Sequence, residues 1–450
     1  MRRGVRGIAA AVAAIGALVL PATAPAATIA VDIELDQFAN PTPPGFDPFC
    51  SLREAVQAAN TDANFDGCER VGTGSADTIV LQGGTTYTRS RAGVDDTNAS
   101  GDLDIGGETT MQVDGTGKAT IDGNTFDRVI DIAQGGSLTA SELVITDGNV
   151  GASQPGNDTS GGGISVNFGG ELELRSSRVL RNFAPGNANC ACGGGIGSAG
   201  QTTLHGVVIR ANGSGSIGGG LSVAAGPSTT VIASTIADNY SSYLAGGIYA
   251  GGFDTKIEIK RSTVSGNRLN GDSGSGGGIY TGGSDTQVTL VNSTLSGNRA
   301  PASGGGISVG AGLPKLRSAT ISENTADADA NGTGHGGGIS SFNQISIRNS
   351  IIAGNADLNP TAPEPDCDTS FVTVAHNLLG NGGDCGSGPS GNVFVADPLL
   401  KPLADNGGPT ETHALKATSK AIGRAGNSPA TDQRGVRRDS DPDIGAFERR

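Results

Sequence analysis

Seven times between residues 161 and 339 the chain returns to a glycine cluster that runs into an apolar residue. The cluster reads Gly-Gly-Gly-Ile at Gly161–Ile164, Gly193–Ile196, Gly276–Ile279, Gly304–Ile307 and Gly336–Ile339, with close variants at Gly218–Leu221 and Gly246–Ile248. Each is followed by short apolar-alternating runs and a turn ending in Asn: Asn182, Asn212, Asn239, Asn267, Asn298, Asn324 and Asn355, spaced 26 to 31 apart. A period of that length marks a stack of units, none able to bury its apolar face alone. In the unit from Gly277 to Ser296 three strands are legible: Gly277–Thr281, Gln287–Val291 and Ser293–Ser296. Their alternation is that of half-buried strands, and no run is long enough for a helix. A propeller blade needs about 40 residues, and the six-residue beat of a left-handed hexapeptide coil is missing. The expected fold is all-β, a right-handed parallel β-helix of about nine or more three-strand rungs. Asn suits a left-handed corner and can hydrogen-bond from rung to rung. Asn124 and Asn149 extend the series backwards. The glycines are read as structural, because no strand–helix unit follows any of them, as a nucleotide loop would require.

The register makes a mutational expectation. Ile279 and Leu295 point into the coil, Tyr280 and Thr294 out of it. Leu295→Asp is therefore expected to cost several kcal/mol and Thr294→Asp little.

The chain has 450 residues and a formal net charge of −14, or −17 once Arg2, Arg3 and Arg6 leave with the first 26 residues. Such a surface does not attract phosphate backbones, so nucleic acid is not an expected partner. Those 26 residues read as a secretory signal: a basic end, the apolar run Ile8–Leu20, and a small-x-small site at Ala24-Pro25-Ala26. No apolar stretch of membrane-spanning length follows. Six cysteines agree with export. Cys50 pairs locally with Cys68 and Cys367 with Cys385, each loop stabilising by about 3 kcal/mol. Cys190 and Cys192 are read as a strained bridge.

Both ends of a coil need covering. The segment Cys50–Asn60 is the best helix in the chain: Ser51 and Glu54 form a capping box, and Leu52, Ala55, Val56 and Ala59 share a face. It is expected to lie over the first rung. A turn-rich segment is expected to cap the other end.

Cys50-Ser51-Leu52-Arg53-Glu54-Ala55, with Asp77-Thr78-Ile79 downstream, resembles the CSLREA domain of bacterial secreted and surface proteins. The other end resembles the choice-of-anchor Q domain, through Asp397-Pro398-Leu399, Asn406–Thr410, Thr412–Leu415, Thr431–Gly435 and Asp443–Glu448. Where that family has Ser-Pro-Ala-Ile-Asp, this chain has Ser419-Lys420-Ala421-Ile422-Gly423. The repeats between look like those of polymorphic outer membrane proteins. The resemblance implies a secreted or surface-associated β-helix and no particular reaction. The expected division is 1–26 signal peptide, 27–123 CSLREA-like cap and first rungs, 124–357 coil, and 358–450 choice-of-anchor Q-like cap.

No catalytic residue is assigned. His205, His335, His376 and His413 fall in unrelated places, and Trp, a usual sugar platform, is absent. Asp432, Arg434, Asp443 and Glu448 read as ties within the C-terminal cap. Asp62, Asn64 and Asp66 open a calcium-loop pattern, but Thr73 stands where the bidentate Glu would be. Calcium is the one cofactor considered. The ligand-binding candidates are Tyr249 and Tyr280, each following the cluster isoleucine, with Asp254 and Asp285 five residues on. They form either a shallow ligand strip or a stack that shields the sheet. Tyr240 and Tyr243 precede them. Thr235, Thr263, Thr294 and Thr320, with Ser265, Ser296 and Ser322, form an outward hydroxyl column, expected to be exposed. The function expected is a non-catalytic adhesion or cell-envelope module whose partner is a glycan or a cell-surface protein. The alternative is a carbohydrate-active enzyme, a polysaccharide lyase or hydrolase, which would show a groove with two convergent carboxylates or a Lys or Arg beside them.

Overall fold

The computed structural model describes residues 25–38, 48–150, 160–186, 193–224, 228–369, 371–380, 385 and 391–450. The signal-peptide reading, apart from its last two residues, and the proposed Cys190–Cys192 bridge lie outside them. Three long parallel sheets form a β-helix that fits the right-handed form. Sheet 1 has 12 strands, from Ala27–Ala30 to Phe371–Ala375. Sheet 2 has 10, from Leu103–Ile105 to Cys367–Asp368, and sheet 3 has 12, from Thr86–Thr88 to Val393–Val395. The glycine clusters lead into sheet 2. Alternation sends every second residue inward, so Ile279, Leu290 and Leu295 of one rung are buried together in the core. Equivalent positions stack in register: Ile248, Ile279 and Ile307 in sheet 2, and Val264, Leu295 and Ile321 in sheet 3.

The glycines are needed for space as much as for dihedral freedom. Gly276 has φ +79°, while a Cβ on Gly277 would lie 2.6 Å from the Arg299 backbone of the next rung.

The Asn series is a buried amide ladder. Asn267 Nδ2 donates to Asn298 Oδ1 at 2.9 Å, and Asn298 Nδ2 to Asn324 Oδ1 at 2.8 Å. Two details differ from expectation. The left-handed residue is the one before each Asn, as at Arg181, Ala211, Asp238, Gly266 and Gly297, which leaves the Asn backbone free to turn its amide inward. The ladder also starts at Asn182, whose Oδ1 accepts the Gly148 N–H. Asn124 bonds to the Arg89 carbonyl instead. The far end is Asp366, which accepts from Asn355 Nδ2 at 2.9 Å. Burial pushes the Asp366 carboxyl up. A serine ladder at another corner was not anticipated: Ser234 N–H donates to Ser262 Oγ at 3.1 Å and Ser262 N–H to Ser293 Oγ at 3.3 Å.

The helix Leu52–Thr61 covers the first rungs, and the Ser51–Glu54 capping box is present. Both disulfides, Cys50–Cys68 and Cys367–Cys385, are formed. Arg53, which is not among the residues of the shared apolar face, is also buried. It donates to the carbonyls of Gly101 at 2.8 Å and Asp102 at 2.9 Å, and pairs with Asp36 at 2.6 Å. Each of the six residues from Cys50 to Ala55 is buried, and each has a bond or a core contact to account for it. Among the described residues no helix is long and apolar enough to cross a membrane.

The turn-rich C-terminal segment returns along the flank of sheet 3. It carries an antiparallel hairpin, Leu400–Ala404 with Thr412–Leu415. Thr263 Oγ donates to the Glu411 carbonyl at 2.7 Å, Thr294 Oγ to Gln433 Oε1 at 2.7 Å, and the Ala446 N–H to Thr320 Oγ at 3.0 Å. His413 is buried between the Lys401 carbonyl and Ser296 Oγ, both at 2.8 Å. The hydroxyl column is therefore not the open array expected. Thr263, Thr294, Thr320 and Ser296 are buried, because a chain segment far away in sequence uses them as its hydrogen-bond partners; Ser322 is buried too and donates to the Ala353 carbonyl of the next rung at 2.7 Å. Leu295 points inward and Thr294 outward as expected, but the outward side at Thr294 faces protein.

Candidate functional site

The outward column of sheet 2 holds two groups of unusual side chains. Its register runs Asp104, Asp131, Ser165, Gly197, Ser222, Tyr249, Tyr280, Ser308, Ser340, Asp368. Ser165, Ser222, Ser308 and Ser340 are buried, so the acidic and the aromatic groups are separate surface features.

The structure brings Tyr249 and Tyr280 together. Their rings are parallel within 6°, with centroids 6.0 Å apart. Both lean toward the corner between sheets 2 and 1, where glycines clear the way. A Cβ on Gly251 would collide with the Tyr249 ring, and one on Gly310 with the Tyr280 phenol. Burial pushes both phenol pKa values up, yet each residue stays half-exposed. Asp254 and Asp285 are also brought together, on the same turns as the rings. They share a cavity of about 300 Å³ with Ser284, Gln287, Leu313 and Lys315. The rings do not line that cavity. Tyr240 is drawn away under Arg268, 5.5 Å from its ring.

The acidic group was not singled out from the sequence, because nothing but rung register places Asp104 beside Asp131. A cavity of about 610 Å³ opens there, lined by Asn60 of the helix, Asp102, Asp104, Arg128, Asp131 and Asn167 among others. Arg128 joins Asp102 at 3.0 Å to Asp131 at 3.1 Å. Asn167 donates to Asp131 at 2.9 Å, and the Asn98 N–H to Asp104 at 2.7 Å. Burial first, then the neighbouring acids Asp131, Asp95 and Asp96, push Asp104 up to about 7. Burial also raises Asp102. The folded chain thus holds the Asp104 proton more tightly than the unfolded chain does. This group's stabilisation is complete below the unfolded value of about 4 and is lost as pH rises toward 7. Asp104→Asn keeps the acceptor for Asn98. Above pH 7 it is expected to be more stable than wild type by about 4 kcal/mol, with the difference vanishing near pH 4. Denaturant melts across that range check it; a pH-independent difference would contradict the cause given.

Asp62 and Asn64 meet Arg70: its guanidinium lies 2.8 Å from Asp62 and 2.7 Å from Asp77, and its backbone N–H donates to Asn64 Oδ1 at 2.9 Å. Arginine supplies the positive charge in that loop. Asp432, Asp443 and Glu448 tie the C-terminal segment together. Arg434 bonds Asp432 at 2.9 Å and lies 3.7 Å over the Phe447 ring, and Arg438 bonds Glu448 at 3.0 Å.

No protein-family model matches the chain, and no curated protein matches it. Among solved structures the chain is similar to the crystal structure of pectate lyase Pel9A, with 15% identity, a TM-score of 0.48, and coverage of 94% of this chain and 98% of that one.

Proposed function

We propose that this chain is a secreted or surface-associated glycan-binding β-helix of the CSLREA and choice-of-anchor Q kind. The observation that carries the reading is the parallel Tyr249–Tyr280 pair, half-exposed, with neither phenol bonded to a described protein group. The stacked pair offers apolar ring surface and phenolic hydroxyls side by side, a combination that suits the C–H and hydroxyl groups of a sugar ring. Asp254 and Asp285 can accept sugar hydroxyls and disfavour anionic chains. Two disulfides support an oxidising, extracellular setting.

The double change Tyr249→Ala with Tyr280→Ala is expected to lower affinity for immobilised neutral polysaccharides about a hundredfold, by loss of roughly 2–3 kcal/mol of contact, without changing the melting temperature by more than a few degrees. Isothermal calorimetry and thermal melts check both parts. A folded variant that binds as wild type does would remove the tyrosines from the site.

A second reading rests on the acidic cavity. Asp104 and Asp131 lie one strand spacing apart, about 4.8 Å, beside Arg128. A carboxyl still protonated near neutrality can donate to a glycosidic oxygen while a second carboxylate faces the anomeric carbon. Hydrolysis of a polysaccharide by the full chain, lost in both Asp104→Asn and Asp131→Asn, would establish it. Activity that survives both changes would exclude this cavity.

A further inference from the structure

The corner beside the tyrosines carries apolar side chains that the coil does not use. Phe253 is 84% exposed, Leu313 57% and Phe342 93%. Each stands in the turn between a strand of sheet 2 and the next strand of sheet 1: Phe253 between Ile248–Ala250 and Lys256–Lys260, Leu313 between Ile307–Val309 and Lys315–Arg317, and Phe342 between Ile339–Ser341 and Ile345–Arg348. Those strands and Ile279–Thr281 are consecutive neighbours in sheet 2. Four successive rungs thus each place an apolar group at one corner: Tyr249 and Phe253, then Tyr280, then Leu313, then Phe342. The row spans three strand spacings, about 14 Å.

We infer that this row is an axial binding track for a linear, neutral polysaccharide lying parallel to the coil axis, with the tyrosine pair as the platform at one end. The inference rests on the glycan-binding reading above and names the ligand's form. The row is one or two side chains wide and extends from rung to rung along one axis, so a partner that uses all of it must also extend along one axis. A globular protein partner would be met by a compact central patch ringed by polar residues. Between the apolar groups the same turns set Asp254, Asp285 and Lys315 around one cavity. Stacking faces therefore alternate with hydrogen-bonding groups, as C–H faces and hydroxyls alternate along a sugar chain. The carboxylates and the chain's net charge of −14 disfavour a polyanion.

Cello-, xylo- and manno-oligosaccharides, from disaccharide to octasaccharide, would be titrated into the full chain by calorimetry, with oligogalacturonides as the anionic control. For at least one neutral series, affinity is expected to rise about tenfold or more between disaccharide and hexasaccharide and then level off. Leu313→Ala and Phe342→Ala are expected to lower hexasaccharide affinity and leave disaccharide affinity unchanged. Both side chains project into solvent, so the fold is not at risk. Affinity independent of length, but still dependent on the tyrosines, overturns the track and leaves the platform standing. No binding of any neutral series overturns both. Tighter binding of the oligogalacturonides overturns the assignment of a neutral ligand.

Discussion

Aspartate at Leu295 and aspartate at Thr294, neighbours in one strand, are each expected to cost about 3 kcal/mol or more, and to break the molecule in different places. Leu295 lies in the coil between Val264 and Ile321. A carboxylate there has no polar partner within reach, so Leu295→Asp is expected to disrupt the rungs themselves and lower the far-UV β signal. Thr294 lies outside the coil, under Gln433, to whose Oε1 it donates at 2.7 Å. Thr294→Asp replaces that donor by a buried acceptor charge facing an acceptor. The least costly relief is release of the C-terminal segment, because the coil can keep its register without it. Hydrogen exchange is expected to show lost protection at residues 431–446 in Thr294→Asp, with the coil protected, and global loss in Leu295→Asp. Thr294→Asp leaving 431–446 protected would contradict the packing described.

Asn267→Ala is expected to be comparably severe. The Asn267 side chain makes four ladder bonds. Nδ2 donates to Asn298 Oδ1 and to the Ile236 carbonyl, both at 2.9 Å. Oδ1 accepts from Asn239 N–H at 3.0 Å and Asn239 Nδ2 at 2.9 Å. Alanine leaves a buried N–H and a buried carbonyl unpaired. At roughly 1–3 kcal/mol for each such group, a loss of about 4 kcal/mol is expected. Asn267→Asp is expected to be no better: it keeps the acceptor but loses both donors and sets a carboxylate against Asn298 Oδ1. An aspartate is accommodated at the ladder's end, where Asp366 accepts from Asn355. Urea melts of the two variants measure this. A loss under about 1 kcal/mol for Asn267→Ala would show that the ladder accompanies the fold without holding it.

The coil was legible before any tertiary contact was known. Period, alternation and glycine clusters act within one rung and its neighbours, so they are legible locally. The rung register followed from them; the capping helix followed from its capping box and apolar face, and the two 18-residue disulfide loops from the even cysteine count and short separations. The stacking of Tyr249 on Tyr280 also followed, because equal places in successive units must lie one strand spacing apart.

Tertiary structure decided what covers each face. Thr294 and Tyr280 have the same outward alternation, yet one is buried under the returning C-terminal segment and the other stays half-exposed. The contact pairs residue 294 with residue 433, a separation of 139, and no periodicity spans it. Arg53 was hidden for the same reason, since its partners are backbone carbonyls of a loop at residues 98–102. The acidic cavity joins Asp104 to Asp131 through register, and to Asn60 through the docking of the helix. Burial there raises Asp104, and burial is a property of the assembled chain that no single segment carries.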